Sequence, residues 1–523
     1  MISNDQVHKG IYQPHMIAEG LRANARRPVV YFPDGTAQTG QQVADEISRY
    51  DQALSALGIG RGDKVALLSG NRPEALHVTN ATMFNQSCLI SLHAMGSVAD
   101  HAFVAEDSGF ETIIFDPEKF AGKVAELKAA APGIQRFLSF GPCDFAEDFL
   151  AAVAQQTPKP LVSPDLTGQE VFRLAYSGGT TGKPKAIAST HASVAAMFGI
   201  MMSEWEYPRE VRQLLCAPLS HSGTVLFLPS LLRGGAIYVH TGFDPLAVLQ
   251  AIEQHRITCI LLVPTMIYAL LDHPRFHEFD LSSLETIFYG ASSMSVARLK
   301  EGIEKLGPVF FQFYGQAEAP MTISVLRKAE HDPDNPLRLA SCGRPVPWLE
   351  VTLMDADGNE VPDDTPGEIC VRGPIVMAGY VGRPELNEEA FKYGWLHTGD
   401  VAVRDAEGYL RIVDRTKDMI ITGGFNVYPR EVEDALGSHP SVAVASVFGI
   451  ADDRWGEAVT AAVVLRDGEA GDVEGLIAHV RKLKGAHQTP KAIHFVDALP
   501  LTPVGKPDKK ALRVQYARVP AES

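Results

Sequence analysis

The chain has 523 residues, and at about 100–200 residues per domain it is expected to hold two to four domains. Its 46% apolar and 21% charged content excludes a disordered, collagen-like or membrane-spanning chain. With 47 Lys+Arg against 63 Asp+Glu the net charge is −16, a field that disfavours nucleic acid and anionic lipid as partners.

In chain order, the first twenty residues mix Asp5, His8, Lys9, His15 and Glu19 without a continuous apolar stretch, so no targeting segment is expected. Lys64–Leu68 predicts a strand, followed by a Gly/Asn/Pro turn and a helix near Glu74–Phe84. Thr112–Phe115 and Ile257–Val263 repeat the strand pattern. The most apolar run, Ile257–Leu271, is broken by Pro264 and stops at Asp272, too short to span a bilayer; it reads as a buried strand running into a helix. This alternation predicts parallel βα units, an α/β body of doubly wound subdomains. From Glu350 to Val371 the pattern becomes strand, turn (Asp355–Gly358) and strand, which predicts a small antiparallel or barrel-like element. From Val432 onward the order helix, strand (Val442–Phe448), strand (Ala458–Leu465), helix (Val473–Leu483) and strand (Ile493–Val496) predicts a separate small α+β domain. The six cysteines are scattered with no CxxC pair, as in a reduced cytoplasmic protein without structural zinc.

Charge separates the two parts. Residues 415–523 hold 14 Lys+Arg and 14 Asp+Glu, whereas residues 1–414 hold 33 and 49 and carry the whole −16. Within the tail, Arg481–Arg518 sets nine basic residues against Asp497 and Asp508, a stretch that reads either as a solvated face or as an anion-holding patch.

Tyr176-Ser-Gly-Gly-Thr-Thr-Gly-Lys-Pro-Lys185 lies between two strand-like runs. Glycines let backbone N–H groups approach phosphate, hydroxyls donate further bonds and lysines add charge. A Walker A loop is excluded: three residues rather than four separate Gly178 from Gly182, and Pro184 replaces the magnesium-binding hydroxyl. Taken alone the string fits a phosphate grip or an ordinary hairpin, and composition favours the hairpin.

The ten-residue string also resembles the signature of the adenylate-forming superfamily, which includes acyl- and aryl-CoA synthetases, luciferases and peptide-synthetase adenylation domains. Further matches follow in the family's order: Tyr314-Gly-Gln-Ala-Glu318, Trp395-Leu-His-Thr-Gly-Asp400, Asp414-Arg-Thr-Lys-Asp418, Gly423-Gly-Phe-Asn426 and Pro503-Val-Gly-Lys506. Together they look most like bacterial fatty-acyl-CoA synthetases.

The resemblance implies a nucleotide site formed by Ser177, Gly178, Gly179, Thr180, Thr181, Gly182, Lys185, Gly290, Ala291, Ser292, Tyr314, Gly315, Asp400 and Arg415. Tyr314 would offer its ring to adenine, Asp400 would accept the ribose hydroxyls, and Arg415 would contact ribose and phosphate. Glu318, with Thr180, would hold magnesium through hard oxygen ligands. Lys506 would bridge the acyl carboxylate and the α-phosphate, Lys417 would be the hinge of a mobile C-terminal domain, and Gly423, Gly424 and Phe425 would meet CoA. His221, Thr265, Tyr289 and Gly290 would line the acyl pocket, with His221 at its junction with the thiol tunnel. One residue departs from the family pattern. Ala317 stands where the family has Thr, removing a hydroxyl that would contribute about 0.5–1.5 kcal/mol.

The implied reaction joins a carboxylic acid to ATP, giving acyl-AMP and pyrophosphate, and then passes the acyl group to CoA. The implied division is a body over 1–414 and a mobile cap over 415–523, hinged near 415–418. The pocket stretches are apolar or small, without Lys or Arg for a second carboxylate or Asp for an amine, which disfavours dicarboxylates and amino acids. A medium- or long-chain fatty acid is expected, with an aryl or alicyclic acid as the alternative. A stand-alone enzyme loading a carrier protein and a non-catalytic nucleotide-binding protein are the competing classes, and a homodimer stays open.

Overall fold

The computed structural model of the protein describes residues 9–177, 184–219, 224–415, 419–422, 425–452, 455–502 and 507–517. Among these, no helix is long and apolar enough to cross a membrane.

The expected βα units build two large sheets. In the first, Lys64–Leu68 lies at the centre, parallel to Cys88–Ser91 and Thr112–Phe115. Val65, Ala66, Leu67 and Leu68 are all buried, which is what a strand covered on both faces requires. Val171–Ser177 extends this sheet in parallel, and Lys185–Thr190 returns antiparallel to it with Ser177 opposite Lys185. The two-residue strand Gly379–Tyr380, arriving from far along the chain, closes that edge. The second sheet runs parallel through Ala236–Val239, Arg212–Leu215, Cys259–Leu262, Thr286–Gly290 and Phe310–Gln316. It then turns back as the antiparallel hairpin Phe310–Gln316 and Ala319–Leu326. The run read as strand into helix is Cys259–Leu262 followed by the helix Pro264–Leu271, which Pro264 opens at a position where no N–H is needed.

The barrel-like element is a four-stranded antiparallel half-barrel, Glu350–Met354, Gly367–Arg372, Leu396–Arg404 and Leu410–Arg415. Beyond it lies the small C-terminal domain, where the long hairpin Val442–Asp452 and Gly456–Leu465 packs on the helices Pro429–Gly437 and Val473–Lys484 around Val432, Leu436, Val459 and Val480. Its short strands Ile420–Thr422 and Phe425–Val427 and its last helix, Lys509–Tyr516, were not expected from the sequence. The domain rests on the body through Arg430, which donates to the Met294 carbonyl at 3.0 Å and pairs with Asp434.

Candidate active site

The turn between Phe310–Gln316 and Ala319–Leu326 meets all three sheets of the body. Phe310–Gln316 is covered on both faces, Phe311 and Phe313 entering one core cluster and Phe310 another, and Tyr314 emerges toward the carboxyl end, half-buried. Its hydroxyl donates to Asp400 Oδ2 at 2.7 Å, joining the second sheet to the half-barrel. Burial, and then the adjoining Asp400 carboxylate, push the Tyr314 hydroxyl well above its ordinary range, so it stays a donor. Asp400 is itself only 5% exposed, a carboxylate held in place before any ligand arrives.

At the other end of the turn, Glu318 Oε1 accepts from the Tyr380 hydroxyl at 2.8 Å, and the Glu318 carbonyl accepts from the Met377 N–H at 2.8 Å. The Lys185 ammonium lies 4.9 Å from the centre of the Tyr380 ring, on its π face. Lys185, Tyr380 and Glu318 thus form one chain across the first two sheets. Burial and then Glu318 raise the Tyr380 hydroxyl, keeping its proton on oxygen. A second set of bonds anchors the same edge. The Tyr176 hydroxyl donates to Asp107 at 3.0 Å, and Arg383 pairs with the same carboxylate.

Two glycines let the strands close here. A Cβ at Gly290 would stand 2.3 Å from the Phe313 carbonyl oxygen, and one at Gly315 would stand 2.8 Å from the Met321 backbone. Ala291, one residue past the strand end, is left-handed at φ 65°, a conformation that costs a residue with a Cβ about 1–2 kcal/mol. Chain direction changes there, leaving Ala291 exposed and Ser292 half-buried beside the expected nucleotide site.

Tyr289, expected at the acyl pocket, lies on the strand Thr286–Gly290. Its side chain is fully buried, and its hydroxyl is held by His331 Nε2 at 2.9 Å and Gln312 Oε1 at 3.3 Å. Tyr289 is thereby packed in the core of the second sheet with Phe310, Ile287 and Leu299. Thr265, at the start of Pro264–Leu271, is half-buried and so available to line a cavity.

Gly178, Gly179, Thr180, Thr181, Gly182, His221, Lys417, Gly423, Gly424 and Lys506 lie outside the described residues, as do the side chains of Ser177, Arg415 and Phe425. Their flanks are placed. Ser177 and Lys185 pair across the hairpin, Arg415 stands opposite Asp400, Thr422 stands opposite Phe425, and Leu501 bridges Pro507 around 503–506. Of the basic tail, Lys509 pairs with Glu433 at 3.0 Å and Lys484 with Glu431 at 3.6 Å, while Arg481, Lys482 and Lys510 are exposed. Sequence reasoning missed Tyr380, Asp107 and Arg383; no spacing links them to the motifs, since the contacts are made by strand pairing across long separations.

Comparison with known proteins adds identity to this geometry. The "AMP-binding enzyme" family description matches residues 18–381, and "AMP-binding enzyme C-terminal domain" matches 431–506. The medium/long-chain-fatty-acid–CoA ligase FadD8 of Mycobacterium tuberculosis is 46% identical, covering 98% of this chain and 92% of its own. A feruloyl-CoA synthase of an Amycolatopsis species is 37% identical over 92% of this chain and 94% of its own. Among solved structures, the amide bond synthetase McbA of Marinactinospora thermotolerans superposes with a TM-score of 0.87 at 32% identity, covering 96% of this chain and all of its own.

Proposed function

Because the chain belongs to the AMP-binding enzyme family, we propose that it is an ATP-dependent acyl-CoA synthetase acting on a medium- or long-chain fatty acid. The observation that carries the reading is the meeting of separate motifs at one turn: Tyr314 on Asp400, and Lys185 with Glu318 on Tyr380. The fatty acid is supported by the similarity to the FadD8 ligase along 98% of the chain.

A carboxylate is a weak nucleophile and a poor acyl donor, so it is activated before it meets a thiol. In the first step a carboxylate oxygen attacks the α-phosphorus, the bond to the bridging oxygen breaks, and pyrophosphate leaves. Asp400 holds the ribose, Tyr314 presents its ring to adenine, and Lys185 offsets charge on the phosphates. Glu318 offers a hard carboxylate oxygen in a half-buried position beside a neutral hydroxyl, a donor set that fits Mg²⁺. When bound, the ion would supply Lewis-acid charge to the phosphate oxygens. Lys506 bridges the acyl carboxylate and the α-phosphate. In the second step the CoA thiol attacks the acyl carbon and AMP leaves. The boundary at 414/415 and the hinge at Lys417 let the cap withdraw Lys506 and bring Gly423, Gly424 and Phe425 to the pantetheine arm.

A second reading, an aryl acid as substrate, is favoured by the similarity to the feruloyl-CoA synthase. The test is AMP and thioester formation with ATP, Mg²⁺ and CoA over hexanoate to palmitate, ferulate, benzoate and an alicyclic acid. Highest kcat/KM on C8–C16 acids supports the proposal, and highest kcat/KM on ferulate or benzoate transfers it to the aryl reading. Acyl transfer only to a carrier protein, or no turnover of any acid, would contradict both.

A further inference from the structure

The motif Trp395-Leu-His-Thr-Gly-Asp400 contains a histidine to which the reaction gives no role. His397 lies on Leu396–Arg404, opposite Cys370 of Gly367–Arg372. Between that pair and the next, Glu368 opposite Val401, one strand advances two residues and the other four. Thr398, Gly399 and Asp400 therefore form a bulge, the kind of irregularity that re-aims side chains beside active sites. Gly399 takes φ 74°, where glycine carries no Cβ penalty.

Side chains collect the backbone groups that the bulge releases from the ladder. Glu368 Oε1 accepts from the Gly399 N–H at 2.7 Å. The Thr398 hydroxyl donates to the Ile369 carbonyl at 2.7 Å and accepts from the Asp400 N–H at 3.1 Å. The second Glu368 oxygen is 2.8 Å from His397 Nδ1, and the far ring nitrogen reaches the Lys392 carbonyl at 3.2 Å. Both oxygens of the carboxylate are thereby committed, one to the bulge and one to the ring that braces it.

We propose that Glu368 and His397 are positioning residues for nucleotide binding, their carboxylate–imidazole pair holding the Thr398–Gly399–Asp400 bulge in the shape that presents Asp400 to the ribose. The proposal rests on the reading of Asp400 as the ribose acceptor. Cys370 Sγ approaches His397 Nδ1 to 3.5 Å, and the three ligand-type atoms lie within 4.8 Å of one another, near enough for one cation. Burial, reinforced by Glu368, pushes the Cys370 thiol up to about 12. Three ligand-type side chains where a structural zinc takes four, with the carboxylate already bonded at both oxygens, describe a hydrogen-bonded brace rather than a metal centre.

The experiment compares kcat/KM for ATP and 2′-deoxy-ATP in the wild-type enzyme and in Glu368→Ala, His397→Ala, Glu368→Gln and Asp400→Ala. Asp400→Ala should erase the preference for ATP. Glu368→Ala should lose about tenfold or more of it through the KM for ATP, with the KM for the acid unmoved, because a bond to a charged acceptor is removed from the bulge. His397→Ala should lose less, since it leaves the Gly399 contact in place. Unchanged preference in folded Glu368→Ala and His397→Ala, alongside its loss in Asp400→Ala, would overturn the positioning role alone. Full preference retained in Asp400→Ala would remove the ribose assignment and the proposal with it. Should the alanine variants fail to fold, Glu368→Gln decides: it keeps an acceptor for Gly399 but loses the charge beside His397, so the preference should fall about three- to tenfold, and an unchanged ratio would overturn the role. Stoichiometric zinc in the purified enzyme, lost in Cys370→Ala, would overturn the hydrogen-bonded brace in favour of a metal.

Discussion

Replacing Tyr314 with Phe removes one hydroxyl and leaves the ring. The hydroxyl donates at 2.7 Å to a carboxylate only 5% exposed, so water is poorly placed to replace it. A hydrogen bond to a charged group is worth about 1.5–3 kcal/mol, equivalent to roughly 10- to 150-fold in an equilibrium constant. A carboxylate has about four acceptor sites, so the tyrosine and both ribose hydroxyls can be served together. Without the tyrosine, Asp400 loses one of the contacts that fix its orientation. Stability should therefore fall toward that range in denaturant unfolding, and the KM for ATP in acid-dependent pyrophosphate release should rise at least about tenfold. The acid KM should not move, because the ring and the pocket are unchanged. An ATP KM within about twofold of wild type, with unchanged stability, would refute the view that this bond prepares the ribose site.

Other residues of the site carry their own expectations. Tyr380→Phe, which removes the 2.8 Å bond to Glu318 but keeps the ring beneath Lys185, should slow adenylation about 3- to 10-fold and raise the Mg²⁺ requirement; single-turnover rates over a Mg²⁺ series check this. Gly290→Ala, whose Cβ meets the Phe313 carbonyl at 2.3 Å, should cost about 1–3 kcal/mol in unfolding and impair adenylation. Lys506→Ala should abolish adenylate formation while sparing thioester formation from supplied acyl-AMP, and equal loss of both would remove the division of labour. Lys417→Pro should impair the second half-reaction more than the first in single-turnover measurements, since a fixed φ stiffens a hinge.

The parts of the fold legible in the sequence are those decided by local pattern. Lys64–Leu68 and Thr112–Phe115 are short runs whose ends coincide with the observed strands, because burial on both faces leaves only apolar residues after the polar first position. The C-terminal order of helices and strands was legible from local pattern as well, while Ile420–Thr422 and Phe425–Val427 were not: strands of three residues carry no periodicity. At the site, motif residues could be named, yet their partners could not. Tyr380 reaches Glu318 only because a two-residue strand pairs with Lys185–Thr190, nearly two hundred positions earlier. Tyr289 shows the same limit: nothing local in its motif reveals His331 and Gln312, which hold its hydroxyl in the core. Glu368 was missed because its task is to satisfy a bulge, and a bulge is a relation between two strands.

The central claim is that the chain activates a free fatty acid as an acyl adenylate before any thiol takes part. Exchange of labelled pyrophosphate into ATP, measured with dodecanoate and Mg²⁺ in the absence of CoA, tests it most directly. Exchange should require the acid, persist without CoA and be lost in Lys506→Ala. Absence of exchange without CoA, in enzyme that forms thioester once CoA is added, would contradict it.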